Sequence, residues 1–189
     1  AVGEANTVKV IANNYTGTTY IVPDTVKYLD VDFAVTEIES VAFAGCSALQ
    51  SIILPEGLTK IGYNAFGECS ALESITIPAS VTEIESYAFA DCSGLTSVTF
   101  LGNACQDAIN EDVFLNVGKV ASVLLTLPAN WTGSKPDEEG NWYGGKFELS
   151  DTALPTVKNA VKATKVLTSG HVIFRAENKS FSILGQEVR

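Results

Sequence analysis

Hydrophobic and polar residues recur at a fixed spacing through the middle of the chain. A shift of 23 residues aligns three segments of the sequence, 32–54, 55–77 and 78–100. A fixed period of this length predicts a solenoid, in which each coil buries its apolar edge against the next coil. Eight columns are identical in all three segments: Thr36/Thr59/Thr82, Ile38/Ile61/Ile84, Ala42/Ala65/Ala88, Phe43/Phe66/Phe89, Cys46/Cys69/Cys92, Ser47/Ser70/Ser93, Leu49/Leu72/Leu95 and Ser51/Ser74/Ser97.

Each coil is predicted to contain a short strand with one inward face, because Leu49, Ile52 and Leu54 follow an L-x-x-I-x-L pattern. Parallel strands of successive coils would stack about 4.8 Å apart and place equivalent side chains in ladders. The repeated Ala-Phe pair, Ala42-Phe43 in the first coil, predicts a tight helical or 3₁₀ turn. Further inward positions are predicted at Val35, Ile38 and Phe43.

The three coils closely resemble the BspA-type leucine-rich repeats of bacterial surface proteins, whose recurring sequence is L-x-x-I-x-I-P-x-x-V-T-x-I-x-x-x-A-F-x-x-C. This resemblance implies a β-rich repeat solenoid, coiled right-handed, with a parallel strand ladder and a cap at each end. The matching residues here are Leu72, Ile75, Ile77, Pro78, Val81, Thr82, Ile84, Ala88, Phe89 and Cys92.

The N-terminal segment, residues 1–31, is predicted to cap the array. Residues 8–22 alternate loosely around the turn-like Asn14 and Gly17, which suggests a hairpin over the open end. Residues 23–29 parallel residues 55–61 and predict a partial first coil that includes Pro23, Val26 and Leu29.

Residues 101–155 are predicted to form a divergent repeat and a C-terminal cap. Apolar residues repeat those of the third coil at a shift of 25. The stretch 125–149 resembles the terminal coil of BspA-like arrays, with a lid of Trp142, Tyr143 and Phe147. The repeating residues are Phe114, Val117, Val120, Val123 and Leu125.

The last segment, residues 156–189, is predicted to be a short β hairpin module, because two alternating apolar runs flank a polar turn within 162–189. Its GQEVR ending resembles the C-terminal modules of exported Bacteroidales proteins, including sorting tails of the type IX secretion class. The resemblance implies a secreted or cell-surface protein on the outer-membrane side.

The charge balance narrows the choice of partner. The net charge is −10, with 20 acidic and 6 basic residues in 1–155 against 2 acidic and 6 basic residues in 156–189. An acidic chain disfavours nucleic acid and anionic membranes, both of which bind through Lys and Arg. No apolar run approaches the roughly 18 residues of a membrane span, so membrane insertion is not expected.

The cysteines and the histidine favour structural roles. Cys46, Cys69 and Cys92 stand one period apart without C-x-x-C pairing, which predicts buried thiols inside the coil and not a zinc site. Cys105, in an irregular insertion predicted within the divergent repeat, is the thiol expected to react most readily. His171 is interpreted as an exposed turn residue, since no G-x-S-x-G motif accompanies it.

The acidic motifs also have structural interpretations. Asp137, Glu139 and Asn141 could offer oxygens to calcium, but the other EF-hand positions are missing, so a solvated loop is favoured. Paired acids at Glu37/Glu39 and Glu83/Glu85 could suggest a glycosidase, yet they fit a surface ladder better. Glu37, Lys60 and Glu83 share a column of alternating charge. Asp24-Thr25-Val26 and Asp151-Thr152-Ala153 resemble the O-glycosylation signal of exported Bacteroidales proteins. No cofactor and no metal is predicted.

The outward strand positions are the remaining repeated surface and are the predicted binding site. Small hydroxyl groups there suit a flat protein or glycan partner. The family resemblance favours adhesion to host matrix proteins or to bacterial surface proteins. A purely structural surface-assembly module and, less favoured, a hydrolase are the alternatives. The predicted ligand-binding residues are Gln50, Ser51, Ile53, Glu73, Ser74, Thr76, Thr96, Ser97 and Thr99.

Overall fold

The computed structural model describes residues 6–11, 15–103 and 108–150, and the backbone of 164–168, 171–176, 179–181 and 187–188. The chain divides into two compact units, Ala1–Pro155 and Thr156–Arg189. Strands of the first unit are β1 (Thr7–Val10), β2 (Thr19–Ile21), β3 (Thr25–Tyr28), β4 (Val31–Ile38), β5 (Ser51–Ile53), β6 (Lys60–Ile61), β7 (Ser74–Ile77), β8 (Glu83–Ile84), β9 (Ser97–Phe100), β10 (Val123–Thr126), β11 (Asn141–Trp142) and β12 (Gly145–Leu149).

The second unit is an antiparallel sheet in which each strand pairs with the next along the chain. Its strands are β13 (Thr164–Thr168), β14 (His171–Ala176), β15 (Lys179–Phe181) and β16 (Glu187–Val188). The predicted hairpin is β13 with β14, and β15 and β16 extend it. His171 begins β14 instead of occupying the turn.

The first unit is a β-solenoid of about six coils, which confirms the predicted fold class. One parallel sheet runs β1-β4-β6-β8 and continues through a bridge between Ile84 and Ile109. On another side of the coil β2 pairs with β5, and β7, β9, β10 and β12 form a longer parallel ladder. Each of the first four coils therefore contributes a strand to both sides, and the fifth contributes the Ile109 bridge and β10.

A single file of aromatic rings runs through the core, as the repeated Phe column predicts. Phe43, Phe66, Phe89 and Phe114 stack with successive ring centroids 5.3, 5.2 and 5.4 Å apart. All four side chains are fully buried. Each ring supplies the apolar wall of its neighbour, so the file joins the coils into one core.

The turns around these rings also form a ladder between coils. The Phe43 N–H donates to Ala65 O at 2.7 Å, and the Phe66 N–H donates to Ala88 O at 2.8 Å. Two left-handed positions in each turn reverse the chain direction, in place of the predicted helical turn. They form the columns Val41/Asn64/Tyr87/Asp112 and Gly45/Glu68/Asp91/Asn116, all with positive φ.

The identical Thr column has a hydrogen-bonding role. Thr59 Oγ1 donates to Thr36 O at 2.9 Å, and Thr82 Oγ1 donates to Thr59 O at 3.1 Å. The same carbonyl oxygens accept the backbone N–H of the next threonine at 2.8 Å. Thr59 and Thr82 thus each bind the preceding coil twice.

The predicted N-terminal hairpin within residues 8–22 is wrong. β1 pairs in parallel with β4, and β2 pairs in parallel with β5, so this segment is itself a coil of the solenoid. Tyr20 packs edge-on against Phe43 at 5.2 Å, and Tyr15 packs edge-on against Tyr20 at 5.0 Å. The alternating pattern was interpreted correctly as strands, but strand pairing is decided by the neighbouring coil and not by the intervening turn.

The partial first coil predicted at residues 23–29 is also wrong. β3 folds back as an antiparallel partner of β4, through a turn at Leu29 and Asp30, which both have positive φ. Val26 and Leu29 are exposed, at 44% and 78%. The likeness to residues 55–61 does not place them inward, because the long strand β4 offers its edge to a local hairpin.

The divergent repeat has a different register from the predicted one. Phe114 and Val117 follow the shift of 25 and are buried, but Leu125 pairs with Val98, a shift of 27. Two extra residues therefore bulge out between Val117 and Val123, and Val120 is fully exposed instead of filling the leucine column.

The C-terminal lid packs as predicted. Trp142 stacks on Phe114 at 5.8 Å, and the Phe147 ring meets Phe114 edge-on at 5.1 Å. β11 and β12 form a tight hairpin through Tyr143 and Gly144. Gly118 lies directly beneath this hairpin, where an added Cβ would stand 2.3 Å from Lys146 O.

Candidate interaction surface

The predicted binding residues lie together on one side of the solenoid. On β5 and β7 the central isoleucines point inward, while Ser51, Ile53, Ser74 and Thr76 point outward and are exposed. Ser97 and Thr99 on β9 are half-buried. Gln50, Glu73 and Thr96 precede the strands and are exposed. We call the outward side of β2, β5, β7, β9 and β10 the strand face.

The strand register arranges this face in two columns. Ser74 pairs with Ser97, and Thr76 pairs with Thr99. The structure adds members that the sequence analysis did not identify, because β2 and β10 belong to the same face. The first column is Thr19, Ser51, Ser74, Ser97 and Leu124, and the second is Ile21, Ile53, Thr76, Thr99 and Thr126.

A shallow groove interrupts the strand face between β5 and β7. Among the described residues, the Glu73 N–H donates to Gln50 O at 3.1 Å, but no strand pairing joins β5 to β7. The groove has a volume of about 300 Å³. We call it the strand-face groove; it is lined by Ser51, Ile52, Ile53, Leu54, Glu56, Ser74, Thr76, Pro78 and Leu101.

Sequence reasoning missed Ile21, Glu56 and Leu101. A signal for Ile21 was present, since TYIVP at 19–23 has the same pattern as SIILP at 51–55 and SITIP at 74–78. Glu56 and Leu101 lie just after strands, in positions that vary between coils, and no repeated column marks them. Their placement beside the outward strand residues depends on how the coils stack.

The acidic residues of the other sheet form ion pairs with lysines of the chain. Lys9 Nζ lies 2.8 Å from Glu37, and Lys60 Nζ lies 3.3 Å from Glu83 and 2.6 Å from Glu85. The hydrogen bond from Lys60 holds the pKa of Glu85 below its usual value, and the bond to Glu85 raises the pKa of Lys60. The predicted column of alternating charge therefore contains separate ion pairs between coils, Lys9 with Glu37 and Lys60 with Glu83.

The acidic residues beside the strand face differ from these. Among the described residues, no hydrogen bond or ion pair joins the carboxylate of Glu56 or Glu73 to another side chain. β5, β7 and β9 carry no Lys or Arg. This part of the strand face therefore presents uncompensated negative charge.

The repeated cysteines are buried free thiols, which confirms their structural interpretation. Cys69 Sγ lies 3.2 Å from Phe43 O, and Cys92 Sγ lies 3.1 Å from Phe66 O, so each thiol donates to the preceding coil. Burial raises the pKa of Cys69 to about 12, and it raises the pKa of Cys46 and Cys92 as well. These thiols stay protonated at neutral pH.

We expect the three ladder thiols to resist alkylation in the folded protein. A Cys105→Ser variant leaves Cys46, Cys69 and Cys92 as the only cysteines of the chain. Iodoacetamide at about pH 8.5 reacts with thiolates, which burial disfavours at these three positions. Intact mass should show little labelling of native protein and complete labelling in denaturant. Cys46, 4% exposed, should react first of the three. Rapid native labelling at Cys92 would contradict a buried ladder.

Asp137 organises the loop before the lid. Its Oδ1 accepts the N–H groups of Glu139 at 2.9 Å and Asn141 at 2.8 Å, and its Oδ2 accepts the Asn141 side-chain amide at 3.0 Å. The Asn141 hydrogen bonds lower the pKa of Asp137. The alternation that suggested calcium ligands is thus used for a local turn.

Several remaining candidates lie outside the described residues, including Cys105 and Asp151-Thr152-Ala153. Thr25 of the other short glycosylation-like motif is exposed on β3. Within the described ranges, no three His, Cys, Asp or Glu side chains group as metal ligands. In that same part of the chain, no helix has the length and apolar character needed to cross a membrane.

A second groove lies beside the two-residue bulge, with a volume of about 260 Å³. Leu95 and Thr96 line it from the third coil, and Lys119 and Val120 line it from the bulge. It exists because Val120 leaves the leucine column open. Unlike the strand-face groove, it carries a lysine at its border.

Comparisons with known proteins agree with this architecture. Residues 23–132 match the family described as BspA type leucine rich repeat region, in six copies. No curated protein matches the sequence.

Three solved structures are similar to the chain. A leucine-rich repeat protein from Bacteroides capillosus is 24% identical over 51% of this chain and 88% of its own, with a TM-score of 0.40. A leucine rich cell surface protein from Faecalibacterium prausnitzii is 19% identical over 94% of this chain and 57% of its own, with a TM-score of 0.48. A leucine-rich repeat protein from Bacteroides ovatus is 23% identical over 67% of this chain and 46% of its own, with a TM-score of 0.31.

Proposed function

The chain belongs to the BspA-type leucine-rich repeat family, and from that premise we propose that it is a protein-interaction module that binds its partner through the strand face. The observation that carries the proposal is the register of outward side chains across β2, β5, β7, β9 and β10. The inward side chains of these strands are used by the core. An extended surface of small contacts is the kind that solenoids use for recognition.

We place this function outside the cell and propose adhesion, to a host matrix protein or to a bacterial surface protein. The cell-surface relative from Faecalibacterium prausnitzii is compatible with that location. A structural module of a surface assembly is the main alternative, and a hydrolase is a weaker one. The paired acids that a hydrolase would need, Glu83 and Glu85, are both bound to Lys60.

Ser74→Arg is expected to weaken partner binding about tenfold or more, because a long cation then stands in the centre of the strand face. Stability should change by no more than about 0.5 kcal/mol, since Ser74 is exposed. Binding is measured by surface plasmon resonance against extracellular matrix proteins, bacterial surface proteins and immobilised glycans. Ser70→Arg is the matched control, because Ser70 is an exposed serine of the same coil that lies outside the strand.

Each alternative predicts a different outcome. Unchanged affinity of Ser74→Arg for a partner that binds the native chain would refute the strand face as the binding surface. A structural module would bind nothing in the panel, while its deletion altered the cell surface. Substrate turnover lost in Glu83→Gln would favour the hydrolase.

We also propose that the C-terminal unit directs export in a Bacteroidales species through a type IX pathway. The GQEVR motif and the antiparallel backbone of β13 to β16 support this proposal. A chain truncated after residue 155 should then stay in the periplasm, as measured by fractionation and immunoblotting. Normal surface display of the truncated chain would exclude the role.

A further inference from the structure

We infer that the strand-face groove seats a basic protein segment, with one apolar side chain in the groove and a neighbouring Lys or Arg at Glu56. The inference rests on the proposed function, because it names the partner chemistry of the same surface. It predicts that the partner contributes the positive charge that the strand face lacks.

The lining of the groove suits a single apolar side chain. Ile53 and Leu101 remain 55% and 41% exposed although they line a concave site. Ile21 extends this apolar area, because it pairs with Ile53 across β2 and β5. A volume of about 300 Å³ lies at the lower end of the range for ligand sites. The groove is open, so it receives a side chain from a larger partner and does not enclose a cofactor.

The charge pattern selects a cationic segment. Lys9, Lys27 and Lys60 are already paired with acids on other surfaces. Glu56 lines the groove and Glu73 borders the same face, and both lack a cationic partner among the described residues. Complementary charge on a partner speeds encounter and selects against acidic proteins.

Other occupants fit less well. A second copy of the chain would bring the same acidic side chains to the contact, and like charges oppose it. No aromatic side chain lines the groove, so it has no stacking platform for a nucleobase. A neutral glycan could bind the hydroxyl columns, but it would gain nothing from Glu56.

Dipeptide titration of the full-length ¹⁵N-labelled protein tests the inference. Ac-Leu-Arg-NH₂ is expected to shift the amide signals of Ser51, Ile53 and Thr76, with weaker responses to Ac-Leu-Glu-NH₂ and Ac-Gly-Arg-NH₂. The Arg contribution should fall when salt is raised to about 0.5 M, since the contact is exposed. Lactose serves as the neutral glycan probe.

Two variants test whether the Glu56 carboxylate and the Ile53 side chain cause the dipeptide binding. Glu56→Gln should lower affinity for Ac-Leu-Arg-NH₂ about two- to fivefold and remove the preference over Ac-Leu-Glu-NH₂. Ile53→Ser should weaken all leucine peptides alike. Glu111→Gln is the control, because it replaces an exposed acid outside the groove, and it should leave the affinity for all the dipeptides unchanged.

Three results would overturn the inference. They are the absence of localised amide shifts, equal affinity for Ac-Leu-Arg-NH₂ and Ac-Leu-Glu-NH₂, and an affinity for lactose that exceeds that for the peptides and is unchanged in Glu56→Gln. Its failure is separable from failure of the proposed function. If Ser74→Arg loses partner binding while the dipeptides do not bind in the groove, the strand face remains the partner site and the basic segment is rejected. Selective dipeptide binding with an unaffected Ser74→Arg rejects the strand face as the partner site.

Discussion

Replacing Phe66 with alanine is expected to lower the free energy of unfolding by about 3 to 5 kcal/mol. The Phe66 side chain is fully buried and stacks on Phe43 at 5.3 Å and on Phe89 at 5.2 Å. Removing the ring leaves a cavity in the centre of the aromatic file, and the coils on either side cannot close it without breaking their backbone ladders. A marginally stable array would unfold at physiological temperature.

The measurement is chemical denaturation followed by circular dichroism, with the native chain as reference. Tyr63→Ala is the matched control, because Tyr63 is an aromatic residue of the same coil that is 48% exposed. We expect Tyr63→Ala to cost about 1 kcal/mol or less, through loss of its edge-on contact with Tyr87. Equal effects of the two variants would contradict a core built on the Phe column.

Trp142→Ala is expected to cost about 3 to 5 kcal/mol as well, but to act first on the C-terminal coils. Trp142 contacts Phe114 at 5.8 Å and Phe147 at 5.5 Å, and its Nε1 donates to Ser134 Oγ at 3.1 Å. Without this indole the last ring of the file is open to water. Coils of a solenoid contact only their neighbours, so fraying starts at the exposed end.

Hydrogen exchange distinguishes this local effect from global unfolding. Amides of β10 and β12 should lose protection in Trp142→Ala before those of β6 and β7 do. Light scattering should show self-association, because Phe114 and neighbouring apolar groups become exposed. Leu149→Ala is the control, since Leu149 belongs to the same hairpin and is 44% exposed. Uniform loss of protection along the chain would contradict the lid interpretation.

The two predictions depend on the Phe column and on the C-terminal lid, and the sequence predicts the first more directly than the second. The Phe column is identical in three coils, so its inward direction could be predicted from the period alone. The lid was predicted from a resemblance, and its contacts with Phe114 are confirmed. Val120 was placed inward wrongly, because a two-residue insertion keeps the local pattern while changing which residue meets the preceding coil.

The sequence by itself determined which side chains build the core, because inward positions repeat with the coil and each must be apolar to cover its neighbour. It also determined the outward hydroxyl columns, since alternation along a strand places them opposite the core. Only the tertiary structure decided where strand pairing stops between β5 and β7, and which residues border that gap. These outcomes depend on contacts between coils, and no repeated position along the chain records them.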